Sequence, residues 1–157
     1  MGTAYTDSDG FTKGTTAFVS SYTNRLSVFD FELDFAAIAA ARTVALIATD
    51  TLELFDIPKG ALVLGMTATV ITAEGAAGNI DVGIKGGTTD YWLDAFDLNG
   101  AVGSTAGVAD TASGAYYATA DTTVLMTINS NDIDTAKIKL HVAMVDMGND
   151  QGVVPSA

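Results

Sequence analysis

The chain has 157 residues, a normal size for one domain, and 48% of them are hydrophobic, with a mean hydropathy of +0.32. A domain of this size buries roughly 68–70% of the surface that its unfolded chain exposes, so a sizeable core is expected. There is no cysteine. Disulfides, thiol catalysis and cysteine-based zinc sites are therefore excluded.

The net charge is −12, from 19 acidic and 7 basic residues. The basic residues are scattered, and only Lys137 and Lys139 lie close together. Affinity for nucleic acids comes mainly from Lys and Arg, and an acidic field repels anionic membranes. No segment has the ~20 apolar residues of a membrane span, and the first residues lack the basic start of a signal peptide. We predict neither a nucleic-acid nor a membrane partner.

Residues 1–27 are rich in Thr, Ser, Gly and Asp, with isolated aromatic residues. One interpretation is an extended arm that reaches onto a neighbouring molecule. The other is an irregular edge whose aromatic side chains pack onto their own core. The arm interpretation makes the aromatic residues the candidate partner contacts, and these are Tyr5, Phe11, Phe18 and Tyr22.

Within Val28–Phe35, residues 29–35 alternate strictly between apolar and acidic side chains. A period of two places the apolar set on one face, which is typical of a half-buried strand. The acidic set, Asp30, Glu32 and Asp34, then faces solvent without the oxygen cage that calcium requires. Ala36–Arg42 follows and is predicted to form one or two helical turns, because alanine has the lowest helix cost.

Two further strands are predicted at Thr43–Ala48 and Thr51–Ile57, and Pro58–Gly60 then breaks the chain. The next segment, Ala61–Thr72, is apolar at both odd and even positions, so we interpret it as a central strand that is covered on both sides. Its Gly65 is a candidate for a β-bulge or for the close approach of another backbone segment.

The second half of the chain has the same short strands and turns. We predict a strand at Ile80–Lys85, then the segment Asp90–Phe96 with Tyr91 and the only tryptophan, Trp92, and then a loop over residues 99–114. Further predictions are a strand pair formed by Tyr116–Thr119 and Thr122–Ile128, a last strand at Lys137–Met147, and a mobile tail over residues 148–157.

Eight or nine short strands with regular turn signals and little helix predict a single-domain, all-β antiparallel sandwich or barrel. We place the domain at residues 28–147, between the N-terminal arm (1–27) and the C-terminal tail (148–157). There is no internal repeat and no domain linker.

Catalytic motifs are missing from the sequence. His141 is the only histidine, and there is no Gly-x-Ser-x-Gly elbow and no Gly-Lys pair for a phosphate loop. We predict no catalytic residue, no cofactor and no metal. The alternative for a metal is a structural calcium ion, if Asp90, Asp94 and Asp97 meet at one end of a sheet.

Two other functions would each need a specific arrangement of side chains. Exposed aromatic rings can stack on sugars, so a carbohydrate-binding or fibre-tip module would use Tyr91, Trp92, Tyr116 and Tyr117. A hydrolase would need two converging carboxylates in a cleft. The modest aromatic content does not favour such a cleft.

Several segments carry a resemblance to a known class of proteins. Thr51–Leu64 has a strand, an Ile-Pro-x-Gly turn and a second strand. It is followed by Asn79–Ile84, Asp90–Ala95, Ala120–Val124 and a closing strand that ends at Asp146. This order resembles small virion structural proteins of tailed bacteriophages, of the capsid decoration or cement kind.

The resemblance implies a β-sandwich of the jelly-roll type that sits on the capsid exterior and clamps neighbouring coat subunits. The implied partner is the phage major capsid protein, and the protein would be made in the host cytoplasm. A homo-oligomer is also implied, with a trimer favoured at local three-fold positions and a dimer as the alternative. The resemblance implies no cofactor and no catalytic residue.

Overall fold

The structure is a computed structural model that describes residues 4–5, 25–107, 115–130 and 132–147. Among these residues there are ten strands and one helix, and the first and eighth strands contain only two residues each. In chain order the elements are β1 (Ala4–Tyr5), β2 (Arg25–Asp34), α1 (Phe35–Arg42), β3 (Thr51–Ile57), β4 (Ala61–Thr72), β5 (Asn79–Ile84), β6 (Leu93–Asp97), β7 (Thr105–Gly107), β8 (Tyr116–Tyr117), β9 (Thr122–Ser130) and β10 (Lys137–Asp146).

The strands form two sheets, which we name sheet A and sheet B. Sheet A has the order β1-β3-β9-β5-β6, and sheet B has the order β2-β10-β4-β7, with β8 also paired to β4. All pairings are antiparallel except the two-residue pairing of β1 with β3. Consecutive strands belong to different sheets after β1, β2, β3, β4, β6, β8 and β9, as in a jelly roll. The predicted all-β sandwich is confirmed.

The core lies between the two sheets and is made by the inward side chains of each strand. On β10 the inward set is Ile138, Leu140, Val142 and Met144, all buried as the alternating pattern predicted. Each such side chain contributes roughly 1.5–3 kcal/mol when it leaves water, so the facing sheets are held mainly by this layer. Sheet A supplies Leu52, Leu54, Phe55, Ile57, Ile80, Val82, Val124, Met126 and Ile128 to the same layer.

The short helix begins directly after β2, one residue earlier than predicted. The Asp34 side chain caps it by accepting a hydrogen bond from the Ala37 N–H at 3.0 Å. Phe35 and Ile38 are the buried residues of the helix. The predicted helix is confirmed, and its first residue, Phe35, belongs to the core rather than to the preceding strand.

The predicted strand at Thr43–Ala48 is wrong. Only Leu46 of this segment bridges another strand-like residue, Ile133. The backbone of Thr43 has φ = 62° and that of Thr49 has φ = 74°. Because these left-handed conformations interrupt an extended chain at both ends, residues 43–50 form a loop.

A buried carboxylate organises that loop. Asp50 is fully buried, and its side chain accepts a hydrogen bond from the Ile47 N–H at 3.0 Å. The Arg42 guanidinium at the end of α1 lies 3.7 Å from the same carboxylate, and its side chain is only 6% exposed. The loop is therefore tied to the helix end by a buried ion pair, which is costly to break from one side.

The interpretation of Ala61–Thr72 as a strand covered on both faces is wrong, although the strand itself and its bulge are confirmed. In the pairing of β4 with β10, Gly65 lies opposite one residue of β10 and Val63 lies opposite the next one. Leu64 is therefore the extra residue of the bulge. Ala61 and Val63 point inward before the bulge, and Met66 points inward after it. The opposite face of this strand is exposed at Leu64 in the single chain.

The predicted pairing of Tyr116–Thr119 with the following strand is also wrong. Only Tyr116 and Tyr117 form a strand, and they pair with β4 instead of β9. The chain changes sheets between β8 and β9, so these two strands do not form a hairpin. The loop predicted over residues 99–114 contains one short strand, β7, and residues 108–114 lie outside the described part of the chain.

The outermost strand of sheet B starts at Arg25, three residues before the predicted domain start at residue 28. The predicted arm over residues 1–27 and the predicted tail over residues 148–157 fall mostly outside the described residues, so both stay predictions.

Candidate interaction face

The two sheets differ in charge. The strands of sheet A contain five acidic residues and no Lys or Arg, which gives a formal charge of −5. The strands of sheet B contain four acidic residues and three Lys or Arg, which gives −1. The acidic residues of sheet A are Glu53, Asp56, Asp81, Asp94 and Asp97. Sheet B is therefore nearly neutral in a chain of net charge −12.

The outer face of sheet B, which points away from sheet A, has a charged half. Here the acidic residues of β2 lie opposite the basic residues of β10, with Lys137 opposite Asp34, Lys139 opposite Glu32 and His141 opposite Asp30. Opposite charges at directly facing positions stabilise an antiparallel pair. The acidic residues were correctly predicted to face solvent. We call these six residues the charged half.

One ion pair of the charged half changes the titration of both partners. The Lys137 ammonium lies 2.9 Å from an Asp34 oxygen and 3.4 Å from a Glu32 oxygen. The hydrogen bond from Lys137 lowers the pKa of Asp34, and the Ala37 N–H contributes in the same direction. The hydrogen bonds to Asp34 and then to Glu32 raise the pKa of Lys137.

A carboxylate, an imidazole and a hydroxyl lie in line across β2, β10 and β4 on the outer face of sheet B. His141 Nδ1 is 2.7 Å from an Asp30 oxygen, and its Nε2 is 3.3 Å from Thr69 Oγ1. Hydrolases use such a series with N–H donors that hold an oxyanion. Thr69 lies in a central strand paired with both Lys139 and Thr105, so the nearby N–H groups are used by the sheet. This geometry supports cross-strand stabilisation.

The other half of the same outer face is apolar. Leu26, Val145, Leu62 and Tyr117 are direct neighbours across β2, β10, β4 and β8. The next outward positions of the first two strands are Val28 and Ala143. We call the outward residues at this end the apolar half, and they are Leu26, Val28, Leu62, Leu64, Ala143, Val145 and Tyr117.

Exposure distinguishes the apolar half from an ordinary solvent face. Val28 is 68% exposed, Leu26 63%, Tyr117 52% and Leu64 45%. The described strands contain five exposed large hydrophobic residues, which are these four and Ile71, and all five belong to sheet B. Single exposed apolar residues are common, but a contiguous patch marks an interaction site. The apolar half is therefore the candidate functional site of this chain.

The residues predicted to contact a partner lie elsewhere in the sequence. Tyr5 belongs to β1 at the edge of sheet A, and only its backbone is described. Phe11, Phe18 and Tyr22 lie outside the described residues. Their role stays a prediction.

The four aromatic residues weighed as a sugar platform do not form one. Trp92 is fully buried, and Tyr91 and Tyr116 are packed against the core. These three rings contact each other edge to face, with centroids 5.1–5.8 Å apart. Only Tyr117 exposes most of its ring, which counts against the carbohydrate-binding alternative.

The aspartates weighed as calcium ligands do not converge. No group of three or more acidic or histidine side chains in the described part of the chain is placed to hold a metal ion. Asp97 instead accepts a hydrogen bond from the Asn99 N–H at 2.8 Å, which is typical of a turn. None of the described helices has the length and hydrophobicity to cross a membrane.

The comparisons with known proteins support the fold. No family model and no curated protein matches the chain. Among solved structures, a chain of the Cyanophage Pam1 capsid asymmetric unit matches with a TM-score of 0.59 and 19% identity, over 83% of this chain and 91% of that one. A chain of the Ralstonia phage GP4 capsid matches with a TM-score of 0.59 and 17% identity, over 90% of this chain and 96% of that one.

A third match is a chain of the acidic stable capsid structure of Helicobacter pylori bacteriophage KHP30. Its TM-score is 0.56 at 19% identity, over 78% of this chain and 89% of that one. At these identities the likeness concerns the fold. The likeness extends over 78–90% of this chain, rather than over one motif, in chains found in three phage capsid structures.

Proposed function

We propose that this chain is a non-catalytic structural protein of a phage virion. It binds the outside of the capsid and stabilises contacts between coat subunits, as decoration or cement proteins do. Its partner is the major capsid protein, and it acts as a homo-oligomer, for which the sequence resemblance favours a trimer over a dimer.

The observation that carries this proposal is the near-complete match to chains of phage capsid structures. Between 89% and 96% of each matched chain and between 78% and 90% of this chain are covered, so most of the fold is similar to chains of three phage capsid structures. Fold likeness alone does not assign a role within a capsid. The exterior position and the cementing action rest on the resemblance of the sequence segments described above.

The surface chemistry agrees with a binding role. The series of Asp30, His141 and Thr69 lies on an open sheet whose backbone groups are engaged in strand pairing. Beside it, the apolar half offers the kind of dry centre that protein interfaces use. An interaction protein needs such a surface, and a catalyst needs a site that excludes water.

The test is made on purified particles of the parent phage. We expect this chain at a fixed ratio to the major capsid protein by quantitative mass spectrometry, and density for it on the outer surface by cryo-electron microscopy. Particles made without the chain should release DNA at a lower temperature, and adding back the purified chain should restore the wild-type temperature. Absence of the chain from particles, or density only inside them, would overturn the proposal.

A further inference from the structure

We propose that the apolar half of sheet B is the surface through which copies of this chain associate, with a second copy as its occupant. This refines the homo-oligomer of the proposed function and rests on it for the existence of such an oligomer. The exposure, the size and the charge of this face each favour a second copy.

The exposed side chains form one continuous surface. Strand register places Leu26, Val145, Leu62 and Tyr117 in a single row, so no polar side chain separates them. Val28 extends the row along β2. Backbone pairing to the neighbouring strands holds each of these four positions, which limits the entropic cost of association.

The size of the face fits a protein partner. Strands β2 and β10 contain ten residues each. At ~3.3 Å per residue, and with four strands ~4.8 Å apart, the outer face measures on the order of 600 Å². One partner in a standard interface contributes ~800 Å². The sheet face therefore supplies most of one such contact, with the apolar half at its dry end.

Charge selects a second copy as the occupant. Two chains of net charge −12 repel each other over most of their surface, including sheet A, whose strands carry −5 with one of these acids, Glu53, paired to Lys85 just after β5. The strands of sheet B carry only −1, and the acidic residues of the charged half already face basic residues. Copies can thus approach through sheet B with little repulsion, since balanced charges cancel at short range.

The experiment uses the full chain and compares the same substitution at two sites. Val28→Arg places a charge in the apolar half, where residue 28 is 68% exposed and points away from the core. Val102→Arg is the matched control, because Val102 is 69% exposed but lies in the turn before β7, outside the apolar half. Mass is measured by light scattering after size exclusion, and affinity by sedimentation equilibrium.

We expect wild type and Val102→Arg to have a mass of at least twice 16.1 kDa. Val28→Arg should weaken association by about 30-fold or more, as at the centre of an interface. Leu26→Arg should act in the same way, which guards against a local effect of one variant. Circular dichroism and thermal unfolding confirm that each variant is folded.

A monomeric wild-type chain at ~100 μM would overturn this inference, since even a weak specific contact gives association there. Equal association of Val28→Arg and wild type would overturn it as well. A dimer or a trimer that dissociates only with the apolar-half variants supports it. These results concern the isolated chain, so they are distinguishable from a failure to find the chain on the capsid exterior.

Discussion

Glu74 offers the sharpest test of how the loops of this sandwich are held. Its side chain is only 5% exposed and accepts three backbone hydrogen bonds from the turn that precedes β10. The donors are the N–H groups of Asp134, Thr135 and Ala136, at 3.1, 3.2 and 2.7 Å. One carboxylate therefore joins the end of β4 to the start of β10, 60 to 62 residues later in the chain.

The substitution Glu74→Gln keeps the shape and removes the charge. A glutamine side chain has one acceptor oxygen, and its NH₂ group can only donate. At least one of the three N–H groups is then left facing a donor inside the protein. A lost hydrogen bond to a charged group costs about 1.5–3 kcal/mol, and a buried unsatisfied group costs ~1–3 kcal/mol. We expect the free energy of unfolding to fall by about 3 kcal/mol in total.

Urea unfolding followed by circular dichroism measures this difference, provided that the slope with denaturant stays unchanged. Glu32→Gln is the matched control, because Glu32 is 50% exposed on β2 and its ion pair is on the surface. The control should change stability by less than about 1 kcal/mol. If Glu74→Gln also stays within about 1 kcal/mol of wild type, the carboxylate does not hold the turn and the reasoning is refuted.

Three further predictions follow from the backbone and the charges. Thr43→Gly should raise the free energy of unfolding by about 0.5–1 kcal/mol, because a β-branched residue at φ = 62° is strained; a decrease in urea unfolding would contradict this. Gly83→Ala should lower it by about 2–3 kcal/mol, since a Cβ there would lie 2.2 Å from a carbonyl oxygen of the 88–89 backbone; unchanged stability would show that this backbone yields freely. Because the pKa of Asp34 is lowered in the folded state, the Asp34–Lys137 ion pair stabilises fully above the unfolded pKa of Asp34 and is lost as pH falls through the folded pKa of Asp34. Because the pKa of Lys137 is raised, the same ion pair is lost at high pH, as pH rises through the folded pKa of Lys137. Wild type and Lys137→Gln should therefore differ most between about pH 5 and 9. They should converge as pH falls below the lowered pKa of Asp34, and a difference that persists in acid would argue against the pair.

Alternating side chains made much of the fold predictable. The period of two identified the inward and outward sets of β10 and of residues 29–34 in β2, and the alanine-rich segment identified α1. These features are local, because the facing direction of each side chain depends only on its own strand.

What could not be predicted depends on contacts between distant residues. Asp30 and His141 are 111 residues apart, and their pairing depends on a register that neither strand specifies alone. The pairing of Tyr117 with Leu62 likewise joins two strands that are far apart in the sequence. The candidate site was missed for this reason, since it exists only when the rows of four strands are aligned.

The bulge at Gly65 connects these two levels. Without it, Met66 and Val70 would share the inner face with Leu62 and Leu64, as the sequence pattern indicated. With it, Ala61 and Val63 turn inward, and the two leucines turn outward. The bulge is thus the local feature that creates the centre of the apolar half.

The exchange of inward residues also has an energetic consequence. Two leucines have four more side-chain carbons than an alanine and a valine, which corresponds to at most about 3 kcal/mol of burial at ~0.8 kcal/mol per carbon. The single chain forgoes part of this, because Leu62 is half-buried and Leu64 is 45% exposed. A monomer gains nothing from exposing the larger pair. An assembly does, because the outward leucines then contribute their burial at the interface. The arrangement of β4 is therefore better explained by a covered outer face than by the stability of the isolated sandwich.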